Sequence, residues 1–312
     1  MLGKALLGAL SAVLISSAAL AADPASCKAV RFSDVGWTDI TATTALTSVV
    51  LEGLGYQPKS EILSVPVTYQ SLKNGDIDIF LGNWMPTMEA DIAPYKKDGS
   101  VEVVRANLEG AKYTLATLSY EAEKGLKDFA DIAKFKDQLK GKIYGIEPGN
   151  DGNRLIQKMI DENKFGLGGF ELVESSEQGM LSQVERASRS KEPIVFLAWE
   201  PHPMNVRFKI TYLTGGDEVF GPNFGGATVY TNVRKGYLQA CPNVGKLLQN
   251  LAFTLPMENE VMGSILDGGK EPAEAATAWL KANPAILDDW LAGVTTIDGG
   301  DGLAAVRKHL GL

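Results

Sequence analysis

Histidine and cysteine are nearly missing from this chain of 312 residues, which carries two of each. That scarcity removes most metal and nucleophile chemistry. His202 and His309 are too few for a zinc cluster and form no H-E-x-x-H pair. The G-x-S-x-G turn of α/β-hydrolases is absent. "DGGDG" at 298–302 is far short of a calcium loop and reads as a turn. No metal and no cofactor are expected. Positive charge is also in deficit, with 30 Lys and Arg against 38 Asp and Glu. Nucleic acid and anionic membrane surfaces are therefore disfavoured as partners, while a cationic ligand is compatible. Long apolar runs are missing after the start of the chain. The first 22 residues, "MLGKALLGALSAVLISSAALAA", hold one Lys, an apolar run and a small-residue exit, and read as a secretory signal peptide cleaved near Ala21–Ala22 rather than as a membrane anchor. The mature chain then carries 29 basic against 38 acidic residues, or −9, and is expected to be soluble and periplasmic.

In an exported protein, Cys27 and Cys241 suggest one disulfide; two buried thiols are the alternative. The pairing would tie the start of the chain to its last third. Length favours two domains over one.

The pattern along the chain alternates. "KAVRFSDVGW" reads as a strand ending near Asp34, "TDITATTALTSVVLEGLGY" as a helix with Thr38 as its cap and Gly53 and Gly55 to end it, and "EILSVPVTYQSLKNGDIDIFLGNW" as a second strand, a short helix and then "IDIFLGNW", a buried strand. "KYTLATLSYEAE" reads as a long strand. The alternation restarts with "KIYGIEPGN", a helix from "DGNRLIQKMIDENKFG", "FELVESS", a helix from "EQGMLSQVERASRS" and "EPIVFLAWE". "FKITYLTGG" and "GGATVYTNV" read as further strands, and the tail is helical. Two α/β units in succession indicate two lobes.

Three of the five tryptophans, Trp37, Trp84 and Trp199, fall at or just past the carboxyl ends of expected strands. In open α/β sheets ligands bind in the crevice there. Trp279 and Trp290 lie within tail helices and read as packing residues. Tyr113 is a fourth aromatic candidate, near the crossover between the lobes. Several electron-rich ring faces around a small space favour a quaternary ammonium group, which offers charge and methyl surface but no N–H. Asp39 then reads either as a countercharge or as a first-turn acid complementing a helix dipole. Asn150, in the turn "GIEPGND", either caps the following helix or faces the cleft toward a ligand hydroxyl.

Four stretches together, "GWTDITATTALTSVVLEGLGYQP", "LKNGDIDIFLGNWMPTME", "YGIEPGND" and "FLAWEPHPMN", resemble the periplasmic substrate-binding proteins of quaternary-amine ABC importers, and among these the choline binders. The resemblance spans essentially the whole mature chain. It implies a two-lobed α/β fold of the type II periplasmic binding protein class, each lobe a mixed sheet flanked by helices, with the ligand in an aromatic box between them. It implies Trp37 and Trp84 from the first lobe, Tyr113 and Trp199 from the second, Asp39 near the ammonium and hydroxyl groups, and Asn150 on the hydroxyl. Choline is the implied ligand, a membrane permease the implied partner, and a monomer the expected state. Glycine betaine, carnitine or acetylcholine is the alternative ligand. A choline-ester hydrolase, with His202 as its sole candidate base beside Trp199, is the remote one. The expected layout is a discontinuous first lobe of residues 23–111 and 227–312, with residues 112–226 inserted as the second. Hinge motion is expected at the crossovers near Glu109–Lys112 and Gly225–Ala227.

Overall fold

Parallel pairing puts the first three strands together. The computed structural model describes residues 23–312, so the signal-peptide expectation lies outside the described residues. Strand β1 (Ala29–Asp34) runs parallel to β2 (Gln57–Ile62) and β3 (Ile79–Met85). Such pairing needs a crossover, supplied by helices α1 (Thr38–Gly53) and α2 (Val65–Asn74). Every residue of β3 up to Trp84 is buried, as expected for a strand covered on both faces. β2 is the edge; its Pro58, Lys59 and Glu61 suit a strand with one open side.

The chain then passes through α3 (Glu89–Asp98) into β4 (Val101–Leu118), and on through β5 (Lys142–Tyr144), β6 (Glu171–Val173), β7 (Val195–Glu200), β8 (Ile210–Tyr212) and β9 (Gly226–Arg234). Sheet order is β2-β1-β3-β9-β4-β7-β5-β6, with β8 also on β4. β4 starts well before the expected "KYTLATLSY" segment. Its first part pairs antiparallel with β9, from Val101 to Lys112, and its last part pairs with β7 and β8. The hydrogen-bonded ladder is thus continuous between the lobes, one around β1–β3 and β9, the other around β5–β7. Three register shifts interrupt β4 against β9, one of them between Leu108 and Ala111, where Gly110 has φ +78°. Bulges of this kind bend and twist a strand.

Helix α1 is buried on nearly every side. It packs on the helices Leu255–Leu266, Pro272–Ala282 and Gly302–Leu310. Gly53 permits a close approach: a Cβ there would sit 3.0 Å from Val306. Asp23 and Cys27 are fixed to this same side. Cys27 and Cys241 form the disulfide, and the Asp23 carboxylate accepts from the backbone N–H of Asn243 (2.8 Å) and Val244 (3.1 Å) and from the Tyr56 hydroxyl (2.9 Å). Among the described residues no helix is long and apolar enough to cross a membrane.

Candidate ligand site: an acidic aromatic cavity between the lobes

β1 ends at Asp34, and the next residues turn toward the facing lobe. Gly36 has φ +81°, and its N–H bonds the Asp34 carboxylate at 2.7 Å. Trp37 takes the extended conformation that precedes α1. The cap position is therefore Trp37, not Thr38 as expected. The orphan N–H of Thr38 is instead satisfied across the cleft, because Glu177 of the helix Glu177–Ser190 accepts from Thr38 N (2.8 Å) and from the Thr38 hydroxyl (2.5 Å). A local cap was unnecessary because the other lobe provides one.

Trp37, Asp39, Trp84, Tyr113 and Trp199 converge on one cavity, completed by Ile146 and Asp151. Its free volume is about 10 Å³, room for no more than about one water molecule, so the walls stand nearly in contact. Trp37 and Trp84 come from the β1 and β3 side; Tyr113 and Trp199 come from neighbouring positions on β4 and β7. Ring centroids of Trp84 and Tyr113 lie 5.9 Å apart, and those of Tyr113 and Trp199 6.4 Å apart, all tilted or edge-on. Such tilting lets several faces look into a common space. Phe220 stands edge-on behind Tyr113 at 6.1 Å, and His202 edge-on to Trp199 at 4.9 Å. His202 is thus a packing partner of the wall: its Nδ1 accepts from Met204 N, and its Nε2 lies 3.3 Å from Glu177.

Asn150 does not line this cavity. Its Oδ1 accepts from the Tyr113 hydroxyl (2.8 Å) and from Asn153 N (3.0 Å), so it caps the helix Asp151–Asp161 and anchors the Tyr113 ring. Gly152 makes room for this anchor, since a Cβ there would come within 2.2 Å of the Tyr113 hydroxyl. The Asn153 side chain clamps the turn through Ile146 N, Ile146 O and Glu147 O. Trp279 and Trp290 lie elsewhere: Trp290 packs on Phe253 and donates to Ala252 O, and Trp279 donates to Glu260.

Indole N–H groups of the cavity walls donate to carboxylates. Trp84 Nε1 donates to Asp39 Oδ2 at 3.1 Å, and Trp37 Nε1 to Glu147 Oε1 at 2.8 Å. Both indole N–H groups are thereby satisfied within the protein. Burial, followed by the charge of Glu177, pushes the Asp39 carboxyl up to about 8. Burial pushes Glu147 up to about 7 and Asp151 up to about 6. Glu258, fully buried and close to Asp39, is raised by the same causes, burial first and then Asp39. Asp39 Oδ1 and Asp151 Oδ2 have no hydrogen-bond partner. Neither Lys nor Arg lines the cavity. The space is built for positive charge. Among the described residues no group of three His, Cys, Asp or Glu is arranged to hold a metal ion.

Sequence reasoning missed Glu147, Asp151 and Glu177. Glu147 and Asp151 flank Pro148–Asn150 inside the very turn that drew attention for its Asn. Glu177 looks from the sequence like an ordinary first-turn acid, and nothing local marks it.

Residues 28–282 match a family described as the substrate binding domain of ABC-type glycine betaine transport systems (OpuAC). The chain is 69% identical to an ABC-transporter choline binding protein solved with choline, with a TM-score of 0.91, covering 92% of this chain and 100% of that one. Against an unliganded semi-closed ABC-transporter choline binding protein the identity is 70%, the coverage the same and the TM-score 0.85. Lactococcal OpuAC, closed on glycine betaine, is 27% identical with a TM-score of 0.77, covering 84% of this chain and 99% of that one.

Proposed function

The chain belongs to the OpuAC family of ABC-importer substrate-binding domains, and from that premise we propose that it captures choline between its two lobes and delivers it to a membrane permease. The carrying observation is the closed cavity walled by Trp37, Trp84, Tyr113 and Trp199, with an unpartnered buried oxygen of Asp39 in its lining. The likeness to a choline-bound protein at 69% identity supports the same reading. The protein acts as a binder and not as an enzyme: His202, the one candidate base, is committed to Met204 and Glu177. It works outside the cytoplasm, in the periplasm.

A trimethylammonium head meets ring faces on several sides. Each desolvated cation–π contact contributes about 2 kcal/mol. At about 1.5 kcal/mol per atom, the roughly seven heavy atoms of choline set a limit near 10 kcal/mol, which corresponds to micromolar or somewhat tighter binding. The first lobe comprises residues 23–111 and 227–312 and the second residues 112–226, a division supported by the disulfide and by the change of β4 partner at Lys112. The lobes close by bending at the bulge around Gly110 and at the Gly225–Ala227 crossover, where Gly225 has φ +66°. Small-angle scattering is expected to give a smaller radius of gyration with choline; an unchanged radius at saturation contradicts the hinge.

Calorimetric titration with choline, acetylcholine, glycine betaine, carnitine and proline tests the function. Choline is expected to bind most tightly. Tighter binding of glycine betaine would overturn the choline assignment.

A further inference from the structure

Asp39 is not the sole acid with an oxygen left over in the cavity. Asp151, the first residue of the helix Asp151–Asp161, enters the lining from the opposite lobe and is fully buried. Its Oδ1 accepts from Asn150 Nδ2 at 3.3 Å, whereas its Oδ2 has no partner. A first-turn acid on a helix ordinarily stays at the surface, where water completes its solvation. This one is sealed among aromatic rings.

Arg154 acts on it through its charge but places its hydrogen bonds on other groups. Arg154 lies one turn along the same helix. Its guanidinium makes two bonds to Asp91, at 2.8 and 2.7 Å, and a third contact to Thr87 O. The other charged groups around the cavity are acids: Asp39 with Glu258 behind it, Glu147 on Trp37, and Glu177 on Thr38. Burial raises Asp151 as it raises Asp39; at Asp151 the Thr87 hydroxyl and the charge of Arg154 offset part of that rise, and no basic side chain lines the cavity itself.

Resting on the cage reading above, we propose that Asp151 is a second ligand-facing carboxylate, which with Asp39 brackets the bound cation from opposite lobes and makes closure depend on the ligand's charge. Closing the lobes on an empty or neutral space brings two desolvated acids to one cavity with nothing between them. Closing on a cation places opposite charge between the two acids. A zwitterion such as glycine betaine adds a carboxylate that faces an acid on either side, so each acid is a rejecting as well as an attracting element.

The test compares choline with its neutral carbon isostere, 3,3-dimethyl-1-butanol, and with glycine betaine, on the wild type and on Asp151→Asn, Asp39→Asn and Asp151→Glu. Asp151→Asn keeps the shape and the Oδ1 acceptor. It is expected to weaken choline tenfold or more, to leave the neutral isostere within about twofold, and to narrow the gap between choline and betaine. Asp39→Asn is expected to behave alike. Asp151→Glu is expected to keep the preference for choline over the isostere whatever it does to absolute affinity. Equal weakening of choline and isostere by Asp151→Asn, or unchanged choline affinity, overturns the proposal and leaves the cage intact. A wild type that binds no choline overturns the cage itself, and this proposal with it.

Discussion

The cleft and the helical tail use the same residue types to opposite ends. In the tail, Trp290 is fully buried, stacks edge-on against Phe253 and gives its N–H to Ala252 O, while the neighbouring Asp288 and Asp289 stay at the surface. Around Trp290 the ring is inside and the neighbouring charges are outside, and the indole N–H finds an internal partner. In the cleft the acids are inside with the rings. Trp37 and Trp84 give their N–H groups to carboxylates of Glu147 and Asp39, and two carboxylate oxygens remain unpartnered. At Trp290 the polar group is satisfied within the chain; in the cleft two carboxylate oxygens are left open to a ligand. The difference predicts a crossed pattern, in which tail substitutions cost stability and cleft substitutions cost affinity.

The largest effect belongs to the tail. Trp290→Ala is expected to lower unfolding free energy by about 3–5 kcal/mol, the usual loss for a buried tryptophan, and to leave choline affinity unchanged in the folded fraction. Chemical denaturation with and without choline separates the two. Next come the rings of the cleft. Trp37→Ala, Trp84→Ala, Tyr113→Ala and Trp199→Ala are each expected to weaken choline tenfold or more, about 1.4–2 kcal/mol, with a much smaller loss of ligand-free stability. Trp279→Phe serves as the control and should leave binding intact. Trp37 or Trp199 variants that lose stability like Trp290→Ala while binding normally would abolish the distinction between the two regions.

Much of this contrast was legible before any coordinates. Three tryptophans at strand ends suffice to mark a cleft, because the carboxyl ends of strands in an α/β sheet open onto one crevice. The alternation of apolar runs and amphipathic segments gave β1, β3, β7, β9 and the main helices. β4 was read short because "VEVVRANLEG" breaks the two-residue alternation: register shifts move residues such as Val103 to the surface, and Gly110 resembles a loop residue. The acids opposite Asp39 were illegible for a different reason. Whether Glu147, Asp151 and Glu177 face solvent, a helix dipole or a ligand depends on which lobe lies against them, and that is tertiary information. Asn150 was read as either cap or ligand contact; its side chain caps, and it reaches the cavity through the Tyr113 hydroxyl that it holds.

Acidity sharpens the comparison further. A carboxyl raised in the closed, ligand-free form binds its proton more tightly than the unfolded or open chain does. Its contribution to that form is therefore present at low pH and is lost as pH rises toward the raised value. For Asp151, Glu147 and Asp39, at about 6, 7 and 8, the window runs from about pH 4 to about pH 8. A bound cation favours the ionised acids, so choline binding expels protons across the same window. Affinity is expected to rise by tenfold or more from pH 5 to pH 8, and the rise in Tm produced by choline should grow in step. Calorimetry in two buffers of different ionisation enthalpy measures the proton release directly. Trp290→Ala should leave the pH profile unmoved. A flat profile would mean that the cleft acids keep one protonation state throughout.

The smallest effect comes from the rim, where cleft chemistry gives way to ordinary surface. Arg154 of the second lobe forks onto Asp91 of α3 in the first, with two bonds of 2.8 and 2.7 Å. On the lobe division and hinge motion proposed above, this pair spans the lobes and contributes only once they have closed. Arg154 is 40% exposed and Asp91 9%, so water and salt screen the attraction. Exposed pairs contribute about 0.2–1 kcal/mol, and the two-bond geometry places this one toward the upper end. Apparent affinity scales with the stability of the closed form, so about 0.5–1 kcal/mol becomes a two- to fivefold change in Kd. Arg154→Lys keeps the charge and removes the fork. It is expected to weaken choline by that amount, chiefly through faster dissociation, and the difference from wild type should shrink as ionic strength approaches about 1 M. The ratio of choline to betaine affinity should not move, because Arg154 lies outside the aromatic cavity. Stopped-flow displacement at low and high salt reads both quantities. A change in the choline-to-betaine ratio in Arg154→Lys would place the guanidinium inside the selective site and erase the boundary between rim and cavity.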